Sequence, residues 1–359
     1  MFTSSMLLGA LGIIPMCAAI PHYVPSRIDL DHRIVPNMKP KYGVETLSEE
    51  NGFWFGSFDV GDSKNLTLLI DTGSSDVIVN PGLYKKGPKG VDIDQTFTNS
   101  YGTTESDGSG TGTKISGTLY NDTMRFGSLR VHQTVGSATS SANGEVLIPG
   151  DGIVGFAGLE VSFLTEHPLS FILFVNKVSL MLADLESSCD LSTTAIIQEW
   201  ALYADIVLDG VTIKNDALVE LDTGTATVIG PVDDVIAIFK ASSMEYAVQT
   251  SEDSGTTVTG YFPCDKPPTL GLSIPSQKNA TAAMKEKSRL VSHRSSTFNI
   301  AADQWIAADN GNNNCTAILS GTDAFPIPDL WVVGQPFFHG TYIDHNLKTR
   351  TLGFAPAKC

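Results

Sequence analysis

The chain has 359 residues, 42% hydrophobic and 17% charged, with 33 Gly and 18 Pro, which supplies ample material for packed cores and excludes disorder over most of its length. Its formal charge of -16, from 23 Lys+Arg against 39 Asp+Glu, repels nucleic-acid phosphates, so no nucleic-acid partner is expected. The greasiest internal stretch, Leu169 to Leu182, is broken by Asn176 and Lys177, so no membrane anchor is expected either.

In chain order, residues 1–19 combine an apolar centre with the small residues Cys17, Ala18 and Ala19, and read as a signal peptide for export. Residues 20–45 follow as a slightly basic segment, with Arg27, Arg33, Lys39 and Lys41 against Asp29, Asp31 and Glu45. The texture then changes to short apolar stretches separated by Gly, Ser, Thr, Asn and Asp, which predict strands over Phe53 to Val60, Leu66 to Ile70, Val77 to Val79 and Ile115 to Phe126. Helical signals are few. Val232 to Ala241 follows Pro231 with acids in its first turn, Leu169 to Leu182 fits either period, and Ala282 to Val291 is a weak polar helix. The chain is therefore mostly β.

Once Cys17 leaves with the signal, four cysteines remain, Cys189, Cys264, Cys315 and Cys359, an even count that suits an oxidising compartment and leaves the pairing open. N-x-Ser/Thr sequons at Asn65, Asn121, Asn279 and Asn314 are glycosylation candidates. The seven His show no close paired spacing and no C-x-x-C occurs, so neither a metal nor a cofactor is expected.

The most informative feature is an internal repeat. LLIDTGSSDVIVNP, with Asp71, recurs as VELDTGTATVIGP, with Asp222, and each half carries a later apolar-apolar-Gly, Ile153-Val154-Gly155 in one and Val332-Val333-Gly334 in the other. One Asp-Thr-Gly-Ser/Thr tetrad arises by accident in roughly one chain in a hundred of this length, and two in well under one in ten thousand. A carboxylate on a tight turn after a strand is held rigidly, and two equivalent loops can meet at a two-fold axis. Carboxyls about 3 Å apart would repel by roughly 5 kcal/mol if both were charged, worth about 4 pK units, so the pair must share one proton. One is then an acid and the other a base at the same pH, which is what activating water and protonating a carbonyl oxygen together requires.

At these residues the chain resembles the pepsin-like family of aspartic endopeptidases, of the secreted fungal type. WFGSFDVG (54–61), DTGSS (71–75), DGIVGF (151–156), EWALYADIVLDGV (199–211), DTGTA (222–226) and WVVGQPFFHGTYIDHNLKTRTLGFAPA (331–357) carry the likeness. It implies a bilobal β fold with the cleft between two pseudo-two-fold lobes, 46–190 and 191–359, after a pro-segment over 20–45. It also implies catalysis by Asp71 and Asp222, supported by Thr72, Gly73 and Ser74 in one loop and Thr223, Gly224 and Thr225 in the other. A Cys264–Cys315 disulfide, polypeptide substrates, sensitivity to statine-type inhibitors, acid-pH activity, a monomeric state and a secreted or vacuolar-lumen location follow from the same likeness.

Four departures accompany the match. Position 78 is Ile where the resemblance expects a Trp, and Ala226 replaces a hydroxyl residue; both changes bear on substrate handling. The flap has two openings, Tyr101-Gly102 and the Gly-rich run containing Ser109 and Gly110. The forward alignment puts Tyr101 over the substrate, where its truncation is expected to cost catalysis and spare stability. Finally, the segment 177–199 is short. A catalytically silent pepsin-fold binder and a carboxylate-pair glycoside hydrolase are the competing function classes, and the intact Asp pair and paired Asp-Thr-Gly loops argue against them.

Overall fold

A computed structural model describes residues 27–29, 44–101, 113–141, 148–157, 179–181, 192–195, 200–251, 255–275, 295–325, 327–346 and 351–356. The signal peptide, Gly102, Ser109, Gly110, Asn279, Cys189, Cys359 and the weak helix over 282–291 lie outside these residues, as does most of 169–182, where Ser179–Met181 is a strand.

The N-terminal lobe is an eight-stranded sheet whose centre alternates its side chains between two cores. Along Phe53–Val60, Trp54, Phe58 and Val60 enter the large core while Phe53 and Phe55 enter a second, smaller one. The same split runs through the neighbouring strands, with Leu68, Ile70, Val77, Val79 and Val154 on one face and Leu69, Ile78 and Ile153 on the other. Burial on both faces explains why these strands read as unbroken apolar runs.

The C-terminal lobe is a ten-stranded sheet that repeats the central arrangement. In the first lobe, Gly152–Gly155 lies parallel to Ser63–Asp71 and antiparallel to Val77–Val79. In the second, Leu330–Val333 lies parallel to Val211–Leu221 and antiparallel to Val228–Pro231. The sequence repeat is thus a topological repeat. Val232–Ala241 is the expected helix, with Asp233 and Asp234 in its first turn, Lys240 in its last, and Val235, Ile238 and Phe239 buried. Cys264 and Cys315 form a disulfide.

Two three-stranded sheets complete the frame. In one, Arg27–Asp29 runs between Ser179–Met181 and Val44–Thr46; in the other, Thr351–Pro356 runs between Ser192–Ala195 and Thr341–Asn346. Across the lobes, the buried Trp54 ring meets Phe338 edge-on at 6.0 Å and His339 at 5.2 Å, and His339 Nε2 lies 3.7 Å from Glu49 Oε1.

Candidate active site

Each Asp-Thr-Gly loop leaves the end of a central strand and is fixed from behind by the apolar-apolar-Gly strand of its own lobe. In the first, the Phe156 N–H donates to the Asp71 carbonyl (2.6 Å), Ala157 to Ser74 (2.8 Å) and Gly155 to Asp76 (2.9 Å). In the second, the Asp222 N–H donates to the Val333 carbonyl (3.1 Å), while the Gly334 and Gln335 N–H groups donate to the carbonyls of Thr227 (3.0 Å) and Thr225 (2.9 Å). Strand pairing that is parallel on one side and antiparallel on the other holds each turn in place.

The loops then bind one another. The Thr72 N–H donates to Thr223 Oγ1 (3.0 Å) and the Thr223 N–H to Thr72 Oγ1 (3.0 Å). Each hydroxyl in turn donates across the lobes, Thr72 to the Leu221 carbonyl (2.8 Å) and Thr223 to the Ile70 carbonyl (2.7 Å). Both threonines are fully buried, so all four partners are satisfied only when the lobes meet in this register.

This pairing brings Asp71 and Asp222 together, 4% and 6% exposed. The Gly73 N–H donates to Asp71 Oδ1 (2.8 Å) and the Gly224 N–H to Asp222 Oδ1 (2.7 Å), while the hydroxyls of Ser74 and Thr225 donate to the two Oδ2 atoms. The glycines are sterically required. A Cβ on Gly73 would lie 2.6 Å from Asp222 Cγ, and one on Gly224 would lie 2.7 Å from Asp71 Cγ, so any side chain here would displace the carboxyl of the opposite lobe. Burial, the Asp222 charge and a hydrogen bond with Asp222 all push the Asp71 carboxyl well above the usual carboxylate range, outweighing Ser74 and Gly73. Each carboxyl lies against the glycine of the opposite loop, a closer approach than the roughly 5 to 9.5 Å separation of a glycosidase pair, which argues against the glycosidase reading.

Tyr101 ends the strand Val91–Tyr101, opposite Thr113 on the returning strand, so the two form the last described pair before the connection between these strands. It is more deeply placed than expected. At 7% exposure it joins Leu69, Ile78, Phe97 and Ile115 in the smaller core, where Ile78 is wholly buried and partly buried Ala226 packs against the edge. Burial, then the charges of Asp76 and Asp71, push its phenol well above the ordinary value, and the hydroxyl proton finds no acceptor among the described residues. Tyr101 therefore packs the lobe, and the expectation that its truncation would spare stability is corrected: deleting a ring this deeply buried costs stability.

The sequons differ in setting. Asn65 is exposed at positive φ, Asn314 is exposed beside the disulfide, and Asn121 stands in mid-strand with its amide oxygen buried. Among the described residues, the one cluster of metal-ligating type is Cys264, Asp309 and Cys315, and its cysteines are bonded to each other. No described helix is long and apolar enough to cross a membrane. Sequence reasoning overlooked Gln335. It is 1% exposed and its amide donates to the Thr223 carbonyl (2.6 Å). The signal was present in the repeat, since Gln335 directly follows the Gly of the second apolar-apolar-Gly, where the first copy has Phe156.

Two lobes repeating one topology, each bringing a buried carboxyl on an Asp-Thr-Gly loop to the same place, have the architecture of an aspartic-type hydrolase. The chain belongs to the eukaryotic aspartyl protease family, which it matches over residues 53–181 and 185–357, and it is an aspartic-type endopeptidase. It is 26% identical over 332 residues to secreted aspartyl protease 1 of Malassezia globosa, covering 86% of this chain and 74% of the relative. An aspartic protease of Phaffia rhodozyma is 24% identical over 353 residues, covering 87% and 79%. In fold, the chain is similar to the crystal structure of the aspartic proteinase from Irpex lacteus, with a TM-score of 0.63 at 16% identity over 93% of this chain and 96% of that one.

Proposed function

We propose that this chain hydrolyses peptide bonds with a water held between Asp71 and Asp222. Ionised Asp222 takes a proton from the water as its oxygen attacks the scissile carbonyl carbon, and protonated Asp71 gives its proton to the carbonyl oxygen. The tetrahedral diol then collapses, the C–N bond breaks, and the leaving amine takes up a proton from the dyad. The observation that carries this reading is the pair of buried carboxyls, each bonded to its own loop's glycine N–H and hydroxyl, in loops that hydrogen-bond each other across the lobes. Because the reaction needs one proton on the pair, activity is expected at acid pH.

The same reading takes 1–19 as a signal peptide for a secreted or vacuolar-lumen enzyme, 20–45 as a pro-segment, and 46–190 and 191–359 as the lobes of a monomer acting on polypeptides. Asn65 and Asn314, both exposed, are the described sequons that offer room for a glycan. The test is hydrolysis of an unfolded protein by the purified chain between pH 3 and 7, with and without a statine-type inhibitor. Acid-dependent cleavage blocked by the inhibitor is expected. Absence of cleavage at any pH would favour the silent binder, for which Ile78, Ala226 and the tucked Tyr101 are the motives.

A further inference from the structure

The two halves of the dyad bond their carboxyls alike, and they differ in what stands behind the peptide that donates to each inner oxygen. In each loop, a single peptide group presents its N–H to the inner oxygen of its Asp: the Thr72–Gly73 peptide to Asp71 Oδ1 and the Thr223–Gly224 peptide to Asp222 Oδ1. The carbonyl of the second peptide accepts the Gln335 side-chain amide at 2.6 Å. No described residue donates to the Thr72 carbonyl, and the pseudo-equivalent of Gln335 is Phe156, which has no side-chain donor. Donation to a peptide carbonyl polarises the whole group and strengthens what its N–H gives in turn. Asp222 therefore receives a stronger hydrogen bond than Asp71.

We propose that Gln335 is a positioning residue of the dyad: by polarising the Thr223–Gly224 peptide it favours charge on Asp222 and so leaves the shared proton on Asp71. This rests on the dyad reading above and adds an origin for its asymmetry. Two further observations agree. Gln335 is almost fully buried, yet its Oε1 has no hydrogen-bond partner among the described residues, a cost that an apolar residue of similar size would avoid. Gln335 also starts the one-turn helix Gln335–Phe338, whose backbone already clamps Thr225, so its side chain is fixed with respect to the loop it polarises.

Two substitutions test the idea, each read by kcat, KM and the pH profile on a peptide substrate. Gln335→Met fills the space and removes the donor. It should lower kcat about tenfold with KM nearly unchanged, and move the acid limb of the profile upward by about half a unit to one unit, since the singly ionised dyad loses support. Gln335→Glu keeps the shape and donates an O–H to the Thr223 carbonyl only while protonated. It should restore near-normal kcat at the acid end and lose it as its own carboxyl ionises. A merely structural Gln335 would give a lower Tm in both variants with wild-type kcat and unshifted limbs, and that result overturns the proposal. If Gln335→Met does not fold, the Gln335→Glu profile decides alone, a wild-type shape counting against the proposal. If the wild-type chain itself cleaves nothing, the dyad reading fails; if it cleaves normally and both variants match it, only the role of Gln335 fails.

Discussion

Truncating Tyr101 removes a ring that packs with Leu69, Ile78 and Phe97 and a hydroxyl whose proton has no acceptor among the described residues, and the two losses can be separated. Tyr101→Ala should destabilise the chain by roughly 3 to 5 kcal/mol, the usual cost of deleting a buried aromatic ring, and lower kcat/KM as well. Tyr101→Phe keeps the packing. Removing a buried donor that has no acceptor among the described residues should leave Tm unchanged or slightly raised. If the phenol serves the substrate once the cleft fills, the same variant should lower kcat/KM by about tenfold. Peptide kinetics and a melting curve on Tyr101→Phe are sufficient, and full kcat/KM in that variant would remove the hydroxyl from the substrate-handling groups. Ile78 matters here through what it lacks: an aliphatic side chain fills the core beneath Tyr101 but offers the phenol no hydrogen bond.

Among the elements, the two Asp-Thr-Gly loops are held by each other as much as by their own sheets. Thr223→Val deletes an oxygen that accepts from the Thr72 N–H and donates to the Ile70 carbonyl, leaving both buried without partners. The cost should be about 2 to 4 kcal/mol, with kcat falling because the carboxyl of one lobe is no longer registered against the other. Chemical denaturation of Thr223→Val measures the first and peptide kinetics the second; a variant stable and active as wild type would show that the cross-lobe bonds position nothing. Loops of this kind were legible in the sequence because the chemistry is local: strand, Asp, Thr, Gly and hydroxyl within a few residues, written twice. The helix Val232–Ala241 was legible for the same reason, its proline, acids and apolar period all being adjacent. Gln335 escaped notice because its partner, Thr223, is 112 residues away, and nothing local marks a buried Gln as a donor to a distant loop. The depth of Tyr101 escaped because it depends on hairpin register, Tyr101 against Thr113, across a Gly-rich stretch whose composition does not fix which residue ends the strand. The slightly basic segment gave no strand signal, yet Arg27–Asp29 occupies the middle of a sheet, where pairing to Ser179–Met181 and Val44–Thr46 outweighs weak local preference.

Over the whole molecule, pH acts in opposing directions. Asp71 holds its proton in the fold at pH values where the unfolded chain has released it, so its contribution is complete below about pH 4 and is lost as pH rises. His339 runs the other way. Burial between the lobes depresses its pKa against the upward pull of Glu49 and Asp303, so stability falls as pH drops below about 6.5. At Asp59, burial raises the pKa, but the Asn65 N–H, Lys64 and Arg125 together lower it, so its contribution is present above about pH 4 and lost below. The only one of these groups in the cleft favours acid. The most direct measurement compares wild type, Asp71→Asn and Asp222→Asn for hydrolysis of a denatured protein at acid pH, with melting curves at pH 3 and pH 7. Asp71→Asn should fold, gain stability over wild type at pH 7 more than at pH 3, and, like Asp222→Asn, lose essentially all hydrolysis, because an amide cannot share the dyad proton. A folded Asp71→Asn or Asp222→Asn that keeps a tenth or more of the wild-type rate would contradict the account.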